Sequence, residues 1–266
     1  MEAVEIGVRA VGVAGEQGML GLCVEGGGRD GENEDDGFAS VRVGVRPHLG
    51  TTRLGRVSQD SASDLLVLHA IRLKGMADDD EVVARFGLDR AEVSELLLDF
   101  QAYGWITRVD FAGTGGWTLT EAGKRRNEQQ LAQELTTAGA RTQVESVHRD
   151  FLPLNARLLR AGTDWQLRPT ATDPLAANKH DDPNWDARVL GVFDVLARAL
   201  GELEPRLTAC LGRFAGYHDR FSRALERVHG GDLSWVTKVR EDSCHTAWME
   251  LHEDLVATLG IERGAG

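Results

Sequence analysis

The sequence predicts a mainly α-helical chain of three helices and a β-hairpin followed by an antiparallel helical bundle, with a short Gly-rich segment in front. Three observations carry this. Between Asp89 and Thr120 the apolar period switches from that of a helix to that of a strand. Two amphipathic segments precede that switch. Beyond Gly139 the chain reads as one apolar helical stripe after another. The predicted organisation is an extension over residues 1–60, a first domain over 61–138 and a helical domain over 139–266.

In the extension, Val4, Ile6 and Val8 alternate, as do Leu20, Leu22 and Val24, and Val41, Val43 and Val45. These read as three short strands. The alternative, which the abundance of Gly and the acidic run from Asp30 to Asp36 favour, is a flexible extension. Ser63 is the expected cap of a helix reaching Lys74, with Leu65, Leu68 and Ile71 among its apolar positions. A second, shorter helix runs from Asp78 to Phe86, with acidic residues where the helix dipole favours them.

Asp89 caps the third helix, whose inner positions Val93, Leu96, Leu97 and Phe100 follow helical spacing. Tyr103-Gly104 closes it. Trp105 to Phe111 then has β-branched and aromatic character, Gly113 to Gly116 is the expected turn, and Trp117 to Leu119 returns. Thr120 caps a helix through Leu131 and Leu135. Helix, helix, turn, helix, hairpin is the order of a winged helix-turn-helix.

The run Tyr103-Gly104-Trp105-Ile106-Thr107-Arg108, the Gly-turned hairpin and then Leu119-Thr120-Glu121-Ala122-Gly123 resemble the MarR-like winged-helix regulators. The resemblance covers about residues 61–126. It implies a transcriptional regulator acting as a homodimer on double-stranded DNA. The third helix would enter the major groove with Arg90, Ala91, Ser94 and Glu95 outward, Arg108 and Thr114 would sit on the wing, and Lys124 and Arg125 nearby. Such proteins typically carry an arginine near the wing tip, and this chain has none there.

Charge runs against that expectation. Residues 61–136 hold 8 Lys and Arg against 13 Asp and Glu, a net of −5. Affinity for DNA rests largely on cations neutralising phosphates. Arg72, Lys74, Arg85, Arg90, Arg108 and the Lys124-Arg125-Arg126 run are the cations on offer. The alternative is a winged helix that docks a protein and binds no DNA.

In the helical half, Val144, Val147, Phe151, Leu154 and Leu158 form a packing stripe that Pro153 should kink or split. A polar loop over residues 162–183 follows. Asn184 or Asp186 starts the next helix, and Pro205 is the expected first turn of another that carries Leu207 to Val228. Gly230-Gly231 ends it, and Asp232 caps a last helix through Trp248 and Leu259.

Trp165, Tyr217, His218, Trp235, His245 and Trp248 are aromatics with polar handles in this half, and they make up a candidate pocket for a small-molecule effector. His245 and His252 are about 10.5 Å apart along a helix, too far to chelate one metal ion. No phosphate loop, nucleophile elbow, paired-cysteine zinc pattern or dinucleotide fingerprint occurs. The expectation is a protein that is no enzyme, with neither metal nor cofactor. Cys23, Cys210 and Cys244 lack paired spacing, and no apolar run approaches the ~20 residues of a membrane helix. Cytoplasm without membrane attachment is the expected setting.

Overall fold

The computed structural model describes residues 60–111, 114–239 and 241–261. The three strands expected in the extension lie outside them. Among the described residues the chain is mainly helical, with one antiparallel hairpin. The first part comprises α1 (Ser63–Lys74), α2 (Asp79–Phe86), α3 (Arg90–Ala102), β1 (Ile106–Phe111), β2 (Thr114–Leu119) and α4 (Glu121–Thr137). The second comprises α5 (Arg141–Gln166), α6 (Pro183–Thr208), α7 (Tyr217–His229) and α8 (Cys244–Leu259), with 3₁₀ turns at Gly212–Phe214 and Leu233–Val236. No described helix is long and apolar enough to cross a membrane.

Local chemistry sets most of the early boundaries. The Asp78 carboxylate accepts from the Glu81 N–H while Glu81 accepts from the Asp78 N–H, so two free donors of α2 are satisfied reciprocally. Asp89 accepts from the N–H groups of Ala91 and Glu92 and starts α3. At α1 the expected cap is displaced: Ala62 is the capping position, without a side-chain bond, and Ser63 is already helical.

The hairpin pairs Ile106 with Leu119 and Arg108 with Trp117. Its turn is shorter than expected, because β2 resumes at Thr114 and takes in Gly115 and Gly116. Those glycines serve a close approach. The segment after α1 bonds to β2 through Ala77 N–H to Trp117 O at 3.0 Å and Trp117 N–H to Ala77 O at 2.7 Å. A Cβ on Gly116 would sit 3.0 Å from the Ala77 carbonyl oxygen. Thr120 accepts from the Gly123 N–H and donates to the Gly104 carbonyl, so one hydroxyl closes α3 and opens α4. A Cβ on Gly123 would fall 1.9 Å from the Trp105 carbonyl oxygen, so the site admits only glycine.

The helical half departs from sequence expectation in five places. Pro153 does not split its helix: α5 runs unbroken for 26 residues. Pro153 and Arg149 are both exposed, so water can serve the carbonyl that the proline leaves without a donor. Asp182 caps α6, accepting from the Asn184 and Trp185 N–H groups, with Pro183 at the first helical position. Pro205 starts no helix and lies inside the last turns of α6. The Leu207–Val228 stripe is broken by the 3₁₀ turn and by Gly216, at φ 94°, so α7 begins at Tyr217. Finally, Asp232 caps only a 3₁₀ turn, and the last helix starts after Ser243, which accepts from the Thr246 N–H.

Two apolar cores result. One lies under α1, α3 and the hairpin, built on Leu68, Ile71, Leu97, Phe100, Ile106 and Trp117. The other fills the helical half around Phe151, Phe193, Phe214, Phe221 and Trp248. Where the two parts meet, a small apolar contact joins Leu65, Leu131 and Ala257. Leu135 of α4 packs into the second core, and buried polar and charged side chains lie beside it.

Candidate functional site

The outer face of α3 is open. Arg90, Ala91, Ser94 and Glu95 are exposed, as are Glu92 and Asp99. Leu98 is 65% exposed in the middle of that face and Tyr103 63% exposed at its end. Val93, Leu97 and Phe100 point the other way, into the core. On the hairpin, Arg108 is exposed with its guanidinium 5.5 Å from the Trp117 ring centre, and Thr114 opens β2. Lys124 and Arg125 are exposed on the first turns of α4. The predicted contact residues of α3 and β1 therefore lie on open surface. They share it with three carboxylates.

Most of the expected cations are committed elsewhere. Arg72 bonds Glu253 at 2.8 Å and Glu128 at 3.1 Å. Lys74 lies 3.1 Å from Glu250, and Arg85 lies 3.5 Å from the same carboxylate. All three are turned toward α8 and away from any ligand of α3. Arg126 covers the Trp105 ring at 5.2 Å and reaches Asp64 at 3.8 Å. Arg90 pairs with Asp80, but both side chains are largely exposed, at 64% and 73%. Such a pair is worth roughly 1 kcal/mol or less and yields to a better partner. Arg108, Lys124 and Arg125 complete the set.

The polar seam between the two parts escaped sequence reasoning. His69 of α1 is fully buried, with Nε2 3.0 Å from Asp254 of α8 and Nδ1 3.3 Å from the Asn127 carboxamide of α4. Asp254 also accepts from the Tyr217 hydroxyl at 2.9 Å and from Arg213. Arg213 donates in addition to Glu134 of α4 at 2.8 Å and to Thr258 at 2.7 Å. Glu134 accepts from Ser61 as well.

Burial, reinforced by the Arg213 charge, holds His69 below its ordinary pKa despite the pull of Asp254. Nε2 faces Asp254 and Nδ1 faces the Asn127 carboxamide oxygen, while the Asn127 amide nitrogen is buried without a hydrogen-bond partner. Asp254 is wholly desolvated, yet Arg213 and then His69 hold its carboxyl far below the usual carboxylate range. The partners lie far apart in sequence, 185 residues for His69 and Asp254, which is why no spacing rule could find them. A local hint was the run Glu250, Asp254 and Thr258, polar residues at helical spacing on the buried face of α8.

The six aromatic residues expected to form an effector pocket do not share one. Trp248 is fully buried against Phe151 and Phe221 and donates to Asn155 at 3.0 Å. Tyr217 belongs to the seam, and Trp165 is buried beneath His180 at 4.5 Å. The His218 backbone N–H donates to the Glu204 carboxylate at 2.6 Å, and its ring lies against Gly201. His245 is exposed on a cavity of about 670 Å³ that it shares with Val239, Met249 and His252. Trp235 borders a different cleft, with Arg227 3.9 Å above its ring. The six are spread over α5, α7, the 3₁₀ turn Leu233–Val236 and α8. Cys244 is buried among them, and desolvation pushes its thiol up to about 12. Comparison with family models, curated proteins and solved structures found no match to this chain.

Proposed function

We propose that this chain is a DNA-binding transcriptional regulator, in which α1–α3 and the hairpin act as a winged helix-turn-helix and the helical half serves dimerisation or effector sensing. One observation carries the reading. α3 and the hairpin are the parts of the three-helix unit that the helical half leaves bare, while α1 and α4 are fastened to it by buried charges. A groove-entering helix must be free on its outer face, and α3 is. Arg108, Lys124 and Arg125, with Arg90 released from Asp80, supply the phosphate contacts, and two copies of the chain double them. Glu95 is then placed to accept from a cytosine amine.

The test is a binding assay of the full chain against DNA from upstream of its own gene, with an unrelated duplex as competitor. Preferential binding that Arg108→Ala weakens supports the proposal. Equal and weak binding of both duplexes would remove it.

A second reading is favoured by Leu98 and Tyr103, large apolar side chains exposed on α3 and at its end, with Glu92, Glu95 and Asp99 exposed on the same helix. That pattern suits a protein partner carrying cations around an apolar patch. Leu98→Asp separates the two readings. It should abolish protein docking, whereas Arg108→Ala should be the more damaging change for DNA.

A further inference from the structure

A cleft of about 410 Å³ opens between α2 and α7, lined in part by Ala84, Ala224 and Trp235. Five cations line it, Lys74, Arg85, Arg220, Arg223 and Arg227, against Glu81, Glu241 and Asp242. Lys74, Arg85 and Arg220 all converge on one buried carboxylate, Glu250, with Asp242 as a second partner for Lys74 and Arg220. Positive charge is in excess where water is scarce.

Arg85 shows the imbalance most clearly. Its side chain is 3% exposed; Nε lies 3.5 Å from the Glu250 carboxylate without hydrogen-bond geometry, and Nη2 is buried without a hydrogen-bond partner. The guanidinium lies between the rings of Phe86, at 4.4 Å, and Tyr217, at 4.6 Å. Those faces hold it in place but accept nothing from its N–H groups. A buried donor left unmatched costs about 1–3 kcal/mol, and more when it is charged. The fixed fork of a guanidinium matches two oxygens of one phosphate or carboxylate. Arg223, tied only to Asp219 on its own exposed turn, stands at the rim.

We infer that this cleft binds a small molecule through an oxyanion, a phosphate or a carboxylate, held by Arg85 at the floor and by Arg223 and Arg227 at the rim. The inference rests on the regulator reading only for its consequence, that a ligand here pins α2 to α7 just ahead of α3. Binding itself is independent of DNA.

The test is thermal denaturation and calorimetric titration of the full chain, without DNA, using inorganic phosphate and citrate as probes at ionic strength matched with NaCl. The expected result is saturable stabilisation by one of the two anions beyond the NaCl control, and the anion that binds names the oxyanion. Arg223→Gln, on the surface, should weaken that affinity at least five-fold without altering the unliganded melting temperature. Arg85→Gln should weaken it more, and Arg157→Gln, on the exposed face of α5, should leave it unchanged. No saturation with either anion would overturn the inference. So would full affinity in Arg223→Gln, which detects failure even if Arg85→Gln does not fold.

Discussion

Arg213 is one side chain holding three elements together: it bonds Glu134 of α4 and both Asp254 and Thr258 of α8 from a position 5% exposed. Removing one member of a buried ion network strands the charges it neutralised, at about 3–5 kcal/mol. Arg213→Met should therefore destabilise the chain by about that much in urea unfolding. A loss under 1 kcal/mol would mean that the seam is not under tension of this kind. Acid should act on the same seam. His69 is depressed in the folded chain, so the unfolded chain takes up its proton first, and stability falls as pH drops through about 6.5. His148 and His245, also depressed by burial, add to the slope, and Asp254 contributes a further loss below about 3.8. Melting temperature measured from pH 7 downward should decline, and His69→Gln should flatten the upper part of that decline. At this scale, legibility in the sequence followed distance along the chain. Asp89 and Thr120 could be read as caps because their partners lie within three residues. His69, Asn127, Glu134 and Arg213 could not, since each is paid for by a residue on another helix.

Elements were legible where a local signal fixed both ends. α2, α3 and α4 each open on a side chain that bonds the first turn, and each is found close to where those residues place it. The helical half was harder, because an apolar stripe continues across breaks that only backbone geometry reveals. Leu207, Leu211, Phe214 and Phe221 all face one core although a 3₁₀ turn and Gly216 separate them. Pro153 failed as a breaker because packing along a long buried face outweighs one missing hydrogen bond. Pro153→Ala should restore that bond and remove the ring clash, raising stability by about 1–3 kcal/mol, read from the denaturation midpoint. An unchanged midpoint would show that α5 has already adapted to the ring at no cost. Gly123→Ala tests the opposite case. Its methyl would collide with the Trp105 carbonyl, so the hairpin and α4 must part, with a loss of about 1–3 kcal/mol.

For the molecule as a whole, one apolar core lies under α1, α3 and the hairpin and a second fills the helical half and takes in Leu135 of α4. What the sequence concealed was the junction. Cations that looked available to a ligand of the first unit are directed at the acidic face of α8, so Arg72, Lys74 and Arg85 hold the halves together. The open face of α3 is thereby left with Arg90 as its own cation, beside Glu92, Glu95 and Asp99. DNA binding by such a surface must depend on few contacts, each of which counts. The slope of log affinity against log salt reports those contacts, at about 0.9 per phosphate neutralised. Measured by fluorescence anisotropy on the chain's own upstream duplex, binding should weaken steadily with salt, and Arg108→Ala should make the slope about 1 unit shallower. An affinity indifferent to salt, or a slope identical in the variant, would contradict a DNA-gripping role for α3 and the hairpin.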